Sequence, residues 1–320
     1  MTEPTVSPWK EGYINANGVR FHYVEQGKGP LVLLIHGFPE FWYSWRYQIP
    51  VLAEAGYHVV APDLRGYNLT EKPDWGYDIA TLSADVVELI RAFGTEKAIL
   101  IGHDWGGAIA WYTATVHAEH LQKLVVMNCP HPNLLYKGIR RPAQLKKSWY
   151  MFFFQLPRIP EWIISKNDYQ FVKRALKGSA IQKAAFDREA LQQYRDAIAR
   201  PKALTCAINY YRVMFRDFLV KRKLPLDQGV RIPTLLVWGE QDIALGKELN
   251  DGLSTWVEDL TVRYLPDSGH WVQQEKHEEV NRIVLEFLGV ATPAKRNAEV
   301  KPAKARKTGS GKRTSKRKAP

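Results

Sequence analysis

Asp104, Asp242 and His270 lie in short stretches whose residue types and order can do chemistry: "GHDWGG", "GEQDIAL" and "SGHW". In the first, a strand-like run reaches a turn of the form glycine, any residue, Asp104, any residue, glycine, and a helix-like run follows. Gly102 and Gly106 let the two backbones pass closely around a strained residue. The helix N-terminus then favours an anion at the tip. The competing reading is an ordinary turn in which Asp104 merely caps the helix.

A carboxylate needs no base to become a nucleophile, because Asp with a reference pKa of about 3.9 is already ionised at neutral pH. Attack on an amide or ester would give an anhydride. Displacement at an sp3 carbon bearing a strained or good leaving group gives instead an alkyl ester of Asp104. Hydrolysis of that ester requires a base, an acid that orients the base, and an oxyanion hole.

The remaining parts follow in the chain order nucleophile, acid, base. Asp242 follows the late strand-like run "TLLVWG", with Glu240 as the other acid there. Of nine histidines only His270 and His277 come later. His277 falls in "EKHEEVNRI", read as a helix with that side chain toward solvent. His270 falls in a Gly-containing loop just after a strand, where catalytic groups are displayed. His270 is therefore taken as base and Asp242 as its orienter. "LLIHGFPEFWYSW" ends an early strand, so the backbone N–H groups of Phe38 and Trp105 form the expected oxyanion hole. Phe38 and Trp105 are also expected to line an apolar substrate pocket. His36 and His103 are read as structural hydrogen-bonding residues. No metal and no cofactor is expected.

Positioning these groups takes a parallel sheet. "LVLLIHG", "YHVVAPD" and "KAILIGH" are continuous apolar runs, as expected of strands buried on both faces. Between them, "TLSADVVELIRAFG" places Leu82, Val86, Leu89, Ile90 and Phe93 on one helical face, with Gly94 as a stop. The alternation implies a mostly parallel sheet flanked by helices. It lapses from about Pro132 to Leu224, where helix-like segments rich in aromatic and basic residues take over, and resumes with "PTLLVWG" and "DLTVRYLP". The expected organisation is an α/β core in two parts, 1–131 and 225–290, with an α-helical cap or lid inserted over 132–224 and a tail over 291–320.

The stretches "HGFPEFWYSWRYQIPVLAEAGYHVVAPDLRGYNLTEKP", "GHDWGG", "GEQDIAL" and "SGHW" closely resemble the epoxide hydrolases of the α/β-hydrolase superfamily, from about Gly12 to Gly289. The resemblance implies the α/β-hydrolase fold. It also implies conversion of an epoxide and water to a vicinal diol, without a cofactor. Members use two lid tyrosines to hold and protonate the epoxide oxygen. "YMFFFQLP" offers Tyr150 and "NYYR" offers Tyr211, with Tyr210 where the family pattern has Trp. Both would also contact substrate. A phenol with a pKa near 10 is a useful acid toward a developing alkoxide. Two alternatives share the Asp104, Asp242 and His270 set or its scaffold: a haloalkane or haloacid dehalogenase, and a non-catalytic ligand-binding protein.

The formal net charge of +12 is concentrated at one end. Residues 291–320 carry eleven Lys or Arg and one Glu, leaving 34 basic and 32 acidic residues in 1–290. That segment has no aromatic residue and is expected to be disordered. It offers nonspecific contact with nucleic acid or an anionic surface, or simply solubility. Two cysteines do not make a disulfide framework and fit a reducing compartment. With no secretory signal and no apolar run of membrane-spanning length, a cytoplasmic protein acting on a small apolar epoxide is expected.

Overall fold

The computed structural model describes residues 9–220 and 225–290. The basic tail therefore lies outside the described residues. An eight-stranded sheet forms the centre, in the order β1-β2-β4-β3-β5-β6-β7-β8. Its strands are β1 (Lys10–Ala16), β2 (Val19–Gln26), β3 (Leu31–Ile35), β4 (His58–Pro62), β5 (Ala98–His103), β6 (Leu121–Met127), β7 (Thr234–Gly239) and β8 (Leu260–Leu265). The pairs β1–β2 and β2–β4 are antiparallel and all others are parallel.

Burial explains why the central strands are so apolar. Every residue of β3, β5 and β7 is buried, because helices cover both faces. One of these helices, Ile79–Ala92, starts where the Asp78 side chain accepts the N–H of Thr81. Such a cap contributes about 1 kcal/mol to holding the helix start. The helix Trp105–Val116 is buried almost all round and runs directly behind β5, so the end of β5 has little freedom to move.

Among the described residues between β6 and β7, Pro132–Gly138, Pro142–Lys147, Trp149–Phe153, Ile159–Ser179, Arg188–Ile198 and Ala203–Leu219 are the main helices. This insertion is tied to the core through buried polar contacts. Tyr210 donates its hydroxyl to the Arg65 carbonyl at 2.8 Å, and Trp271 donates its indole N–H to Ser179 Oγ at 2.7 Å. Glu275 bridges the two parts more tightly. One carboxylate oxygen accepts the N–H groups of Gly269 and Trp271, and the other accepts those of Ile181 and Gln182. The loop that carries His270 is thus fixed to the insertion on one side and to the core on the other.

Candidate active site

Asp104 stands at the junction of β5 and Trp105–Val116 with φ 51° and ψ −119°. A non-glycine residue is rarely found there, and such strain persists only when surrounding structure enforces it. Two close approaches enforce it here. A side chain on Gly106 would overlap the carbonyls of Ile35 and His36, and one on Gly37 would overlap the Asp104 side chain itself. The loop after β3 can therefore lie against the carboxylate only because residue 37 is glycine. The Asp104 side chain makes no capping bond to its helix, so helix capping does not account for it.

The carboxylate divides its two oxygens between two partners. Oδ1 accepts the Phe38 N–H at 2.8 Å, and Oδ2 faces His270 Nε2 at 3.5 Å. His270 Nδ1 lies 2.6 Å from Asp242 Oδ2. Asp242 is itself held at both oxygens. Oδ1 accepts the N–H groups of Ala244 and Leu245, and Oδ2 also accepts Asn128 Nδ2 at 2.9 Å. Glu240 pairs with Lys247 instead and takes no part. The structure thus brings Asp104, His270 and Asp242 into one line and places the Phe38 N–H on the Asp104 oxygen away from His270. The Trp105 N–H is the first of its helix, among the donors with no intrahelical acceptor.

Electrostatics follow the geometry. Burial disfavours the imidazolium of His270, but the Asp242 charge, the Asp104 hydrogen bond and the Asp104 charge outweigh it and raise its pKa well above the ordinary value. Burial pushes both carboxyls up. For Asp104 the His270 hydrogen bond and charge reverse this, and for Asp242 the His270 charge and hydrogen bond do, so both pKa values end lowered. The resting site therefore favours a proton on His270 between two carboxylates.

Tyr150 and Tyr211 come from different helices of the insertion, Trp149–Phe153 and Ala203–Leu219, and meet with ring centroids 5.8 Å apart. Tyr211 also packs edge-on against Trp105 at 5.1 Å and Phe38 at 5.4 Å, which places it over the Asp104 turn. Burial, then the Asp104 charge, raises the pKa of both phenols, so both stay protonated through neutral pH. Tyr210, next to Tyr211, turns the other way to hold Arg65. Trp105 also lines an apolar cavity of about 490 Å³ between core and insertion, with Met151, Met214 and Leu135 among its walls. Phe38 instead packs on the rings of Phe154 and Tyr211.

His36 and His103 are hydrogen-bonding residues, as expected from sequence. His36 Nε2 accepts the Leu64 N–H. His103 bridges Glu40 Oε2 at 2.7 Å and the His270 carbonyl at 2.8 Å. His277 differs from its solvent-facing expectation: it is half-buried, with its ring stacked 4.1 Å from that of Tyr47. Its helix packs against Gln48–Glu54, whose preceding Tyr47 covers that face.

Two supporting residues escaped the sequence reading. Asn128, in a left-handed conformation just past β6, donates to Asp242 and accepts the Gly239 N–H, joining two strand ends. Its only signal was a position at the carboxyl end of a parallel strand. Glu40, fully buried, accepts from Gly37, Ser44, Gln273 and Gln274 as well as pairing with His103. Burial alone would raise its pKa, but the His103 charge and hydrogen bond and the Ser44 hydroxyl lower it. It ties the Phe38 loop, the residue before Asp104 and the helix after His270 to one carboxylate. Among the described residues, no group of three or more His, Cys, Asp or Glu could hold a metal ion. Both cysteines are free and buried.

Known proteins resemble this chain in sequence and in fold. The alpha/beta hydrolase fold family matches residues 30–277. Epoxide hydrolase 4 of Homo sapiens is 39% identical over 306 residues, covering 92% of this chain and 83% of that protein. The AB hydrolase superfamily protein YfhM of Bacillus subtilis (strain 168) is 40% identical over 282 residues, covering 86% and 96%. Among solved structures, the Bacillus megaterium epoxide hydrolase in complex with an inhibitor superposes with a TM-score of 0.80 at 33% identity, covering 87% of this chain and all of that one. The mostly parallel eight-stranded sheet and the helices that flank it define an α/β hydrolase. The chain belongs to the α/β-hydrolase family and, within it, to the epoxide hydrolases.

Proposed function

We propose that this enzyme, a hydrolase acting on epoxides, opens the ring through a covalent ester of Asp104 under a cap formed by residues 132–224. The observation that carries this reading is the arrangement of opposed partners. Asp104 lies on the core side, and the phenols of Tyr150 and Tyr211 come from the insertion above it.

Asp104 Oδ2 attacks an epoxide carbon, and the carbon–oxygen bond of the ring breaks. Tyr150 and Tyr211 hold the leaving oxygen, and one of them gives it a proton. The pKa values favour this timing. Burial and, after it, the Asp104 charge make the phenols reluctant acids, and the second of these disappears as the ester forms, at the moment negative charge reaches the epoxide oxygen. Loss of the same charge weakens the grip on the His270 proton, which passes to solvent and is regained when the Asp104 carboxylate is restored. A neutral His270 then takes a proton from water, and the water attacks the ester carbon. Negative charge gathers on Oδ1, where the Phe38 N–H already waits and the Trp105 N–H adds a second donor. Collapse releases the diol, whose alkoxide is protonated by His270. The proton left on the new Asp104 carboxyl returns through solvent to the tyrosinate. No cofactor enters these steps.

The sign of the pH effect is fixed by this sequence. His270 is held by two carboxylates at rest but by one in the ester, so its pKa falls on acylation. Ester breakdown should accelerate as pH rises through this lower value. An NMR titration of His270 in the resting enzyme should give a pKa above that inflection. Coincident values would remove the proposed role of Asp104 in setting the base.

A panel of aryl, alkyl and terminal epoxides, run beside chloroalkanes, tests the function itself. Diol formation without halide release is the expected outcome. Halide release without diol would favour the dehalogenase alternative, in which the two tyrosines have no acid to supply.

A further inference from the structure

The helical insertion turns an apolar face outward. Leu145 in Pro142–Lys147, Trp149 and Phe152 in Trp149–Phe153, and Leu156 in the turn just after it are all exposed, Trp149 by 57%. Ile159, Trp162 and Ile163 repeat the pattern at the start of Ile159–Ser179, with Trp162 exposed by 60%. A helix on a protein surface ordinarily shows polar residues to water. Scattered apolar side chains need no explanation, but two such stripes in one short segment mark an interaction surface.

The charge of this segment says what it faces. Between Pro132 and Lys166 there are seven Lys or Arg and one acidic residue, Glu161. Glu161 is already paired with Arg212. Arg140, Arg141, Lys146 and Arg158 are exposed beside the apolar stripes, and the Lys166 ammonium lies 3.2 Å from the centre of the Trp162 ring. Two copies of this face would bring cations against cations, which disfavours self-association. A nucleic acid would satisfy the cations and leave the apolar stripes in water. Tryptophan and leucine interleaved with Lys and Arg suit the boundary between lipid headgroups and acyl chains.

The cavity joins this face to the chemistry. The lining of the 490 Å³ space includes both Trp105, the neighbour of Asp104, and the exposed Leu145, Phe152, Phe218 and Arg140. Leu145 and Phe152 also belong to the outward apolar stripe, so the cavity reaches that face. We infer that the outer face of the insertion docks on an anionic phospholipid bilayer, so that an apolar substrate dissolved among the acyl chains enters the cavity without crossing bulk water. The delivery route rests on the epoxide reading, whereas the docking does not.

The test uses the full-length chain and a triple variant, Trp149→Gln, Leu156→Gln and Trp162→Gln. These substitutions preserve net charge, sit on exposed positions and touch none of the groups assigned to the reaction. Sedimentation is measured with vesicles of phosphatidylcholine alone and with about a third phosphatidylglycerol. At about 0.5 M salt, purely electrostatic contacts, including any made by the basic C-terminal segment, are screened. The wild-type chain should still partition onto the mixed vesicles there, and the variant should bind at least about tenfold less. Turnover of a vesicle-dissolved epoxide should fall about tenfold in the variant, with turnover of a water-soluble epoxide unchanged. Equal partitioning of the two proteins would overturn the proposal, as would absence of wild-type binding. So would a wild-type dimer that the variant splits, because a second copy would then cover the face. Vesicle binding without any epoxide turnover would keep the docking and remove the epoxide reading instead.

Discussion

His270→Gln should stop diol release and leave ring opening in place. Incubated with an epoxide, the variant should gain the mass of one substrate, and the addition should map to a peptide containing Asp104. Steady-state turnover should fall by about 10,000-fold, the upper end of what a positioned general acid–base contributes. The reason is the asymmetry of the two steps. Asp104 is ionised already, with its pKa lowered by the His270 hydrogen bond and charge against the cost of burial, so attack needs no base. Water attacking the ester does need one, and His270 Nε2, 3.5 Å from Oδ2, is the group positioned to supply it. Gln keeps a polar side chain of related size but cannot accept and return the proton. Asp104→Ala should show neither adduct nor diol. An adduct on some other residue of the His270 variant would exclude Asp104 as the nucleophile.

Replacing Tyr150 and Tyr211 together by Phe should move the defect to the first step. Loss of a single donor should cost about 3 kcal/mol of barrier, roughly a hundredfold in rate, the scale of one oxyanion-type donor. The remaining phenol still holds and protonates the oxygen in each single variant. With both removed, an alkoxide would have to leave without an acid, and the loss should exceed the product of the two single losses. The double variant should also form no ester, which separates it from His270→Gln. The rings lie among Phe154, Trp105 and Phe38, so Phe in their place keeps the packing and removes only the hydroxyls. A double variant that still accumulates ester at the wild-type rate would leave the phenols without a role in ring opening.

What could be read from the sequence depended on how local the signal was. β3, β5 and β7 were legible because burial on both faces demands an unbroken apolar run. The Asp104 turn was legible because close packing requires small residues at fixed distances from it. β1, "KEGYINA", left no such trace. It is an edge strand, paired only with β2 and mostly exposed, and its more covered positions, Gly12, Ile14 and Ala16, include two small residues that leave no apolar signal. Inside the helical insertion, the run Ile159–Ser179 is interrupted by non-helical backbone from Lys166 to Tyr169, and nothing in "SKNDYQ" announced where the break falls. Glu40 and Asn128 were hidden for a different reason. Their partners lie up to 234 residues away in sequence, and an acid or amide reads as a surface residue until the fold closes around it. Asp104, Asp242 and His270 could be picked out by order and type as residues that come together, but the Glu40 carboxylate that aligns the loops around them could not.

A single turnover in water enriched in heavy oxygen addresses the covalent ester most directly. Enzyme in excess over epoxide should release diol that carries no label, because its new oxygen comes from Asp104 Oδ2. The label should reside in the carboxylate of Asp104, where water attacked the ester carbon, and should be found by mass spectrometry on the peptide spanning that residue. Label in the diol, with an unlabelled Asp104, would mean that His270 directs water straight at the epoxide carbon and that no ester forms.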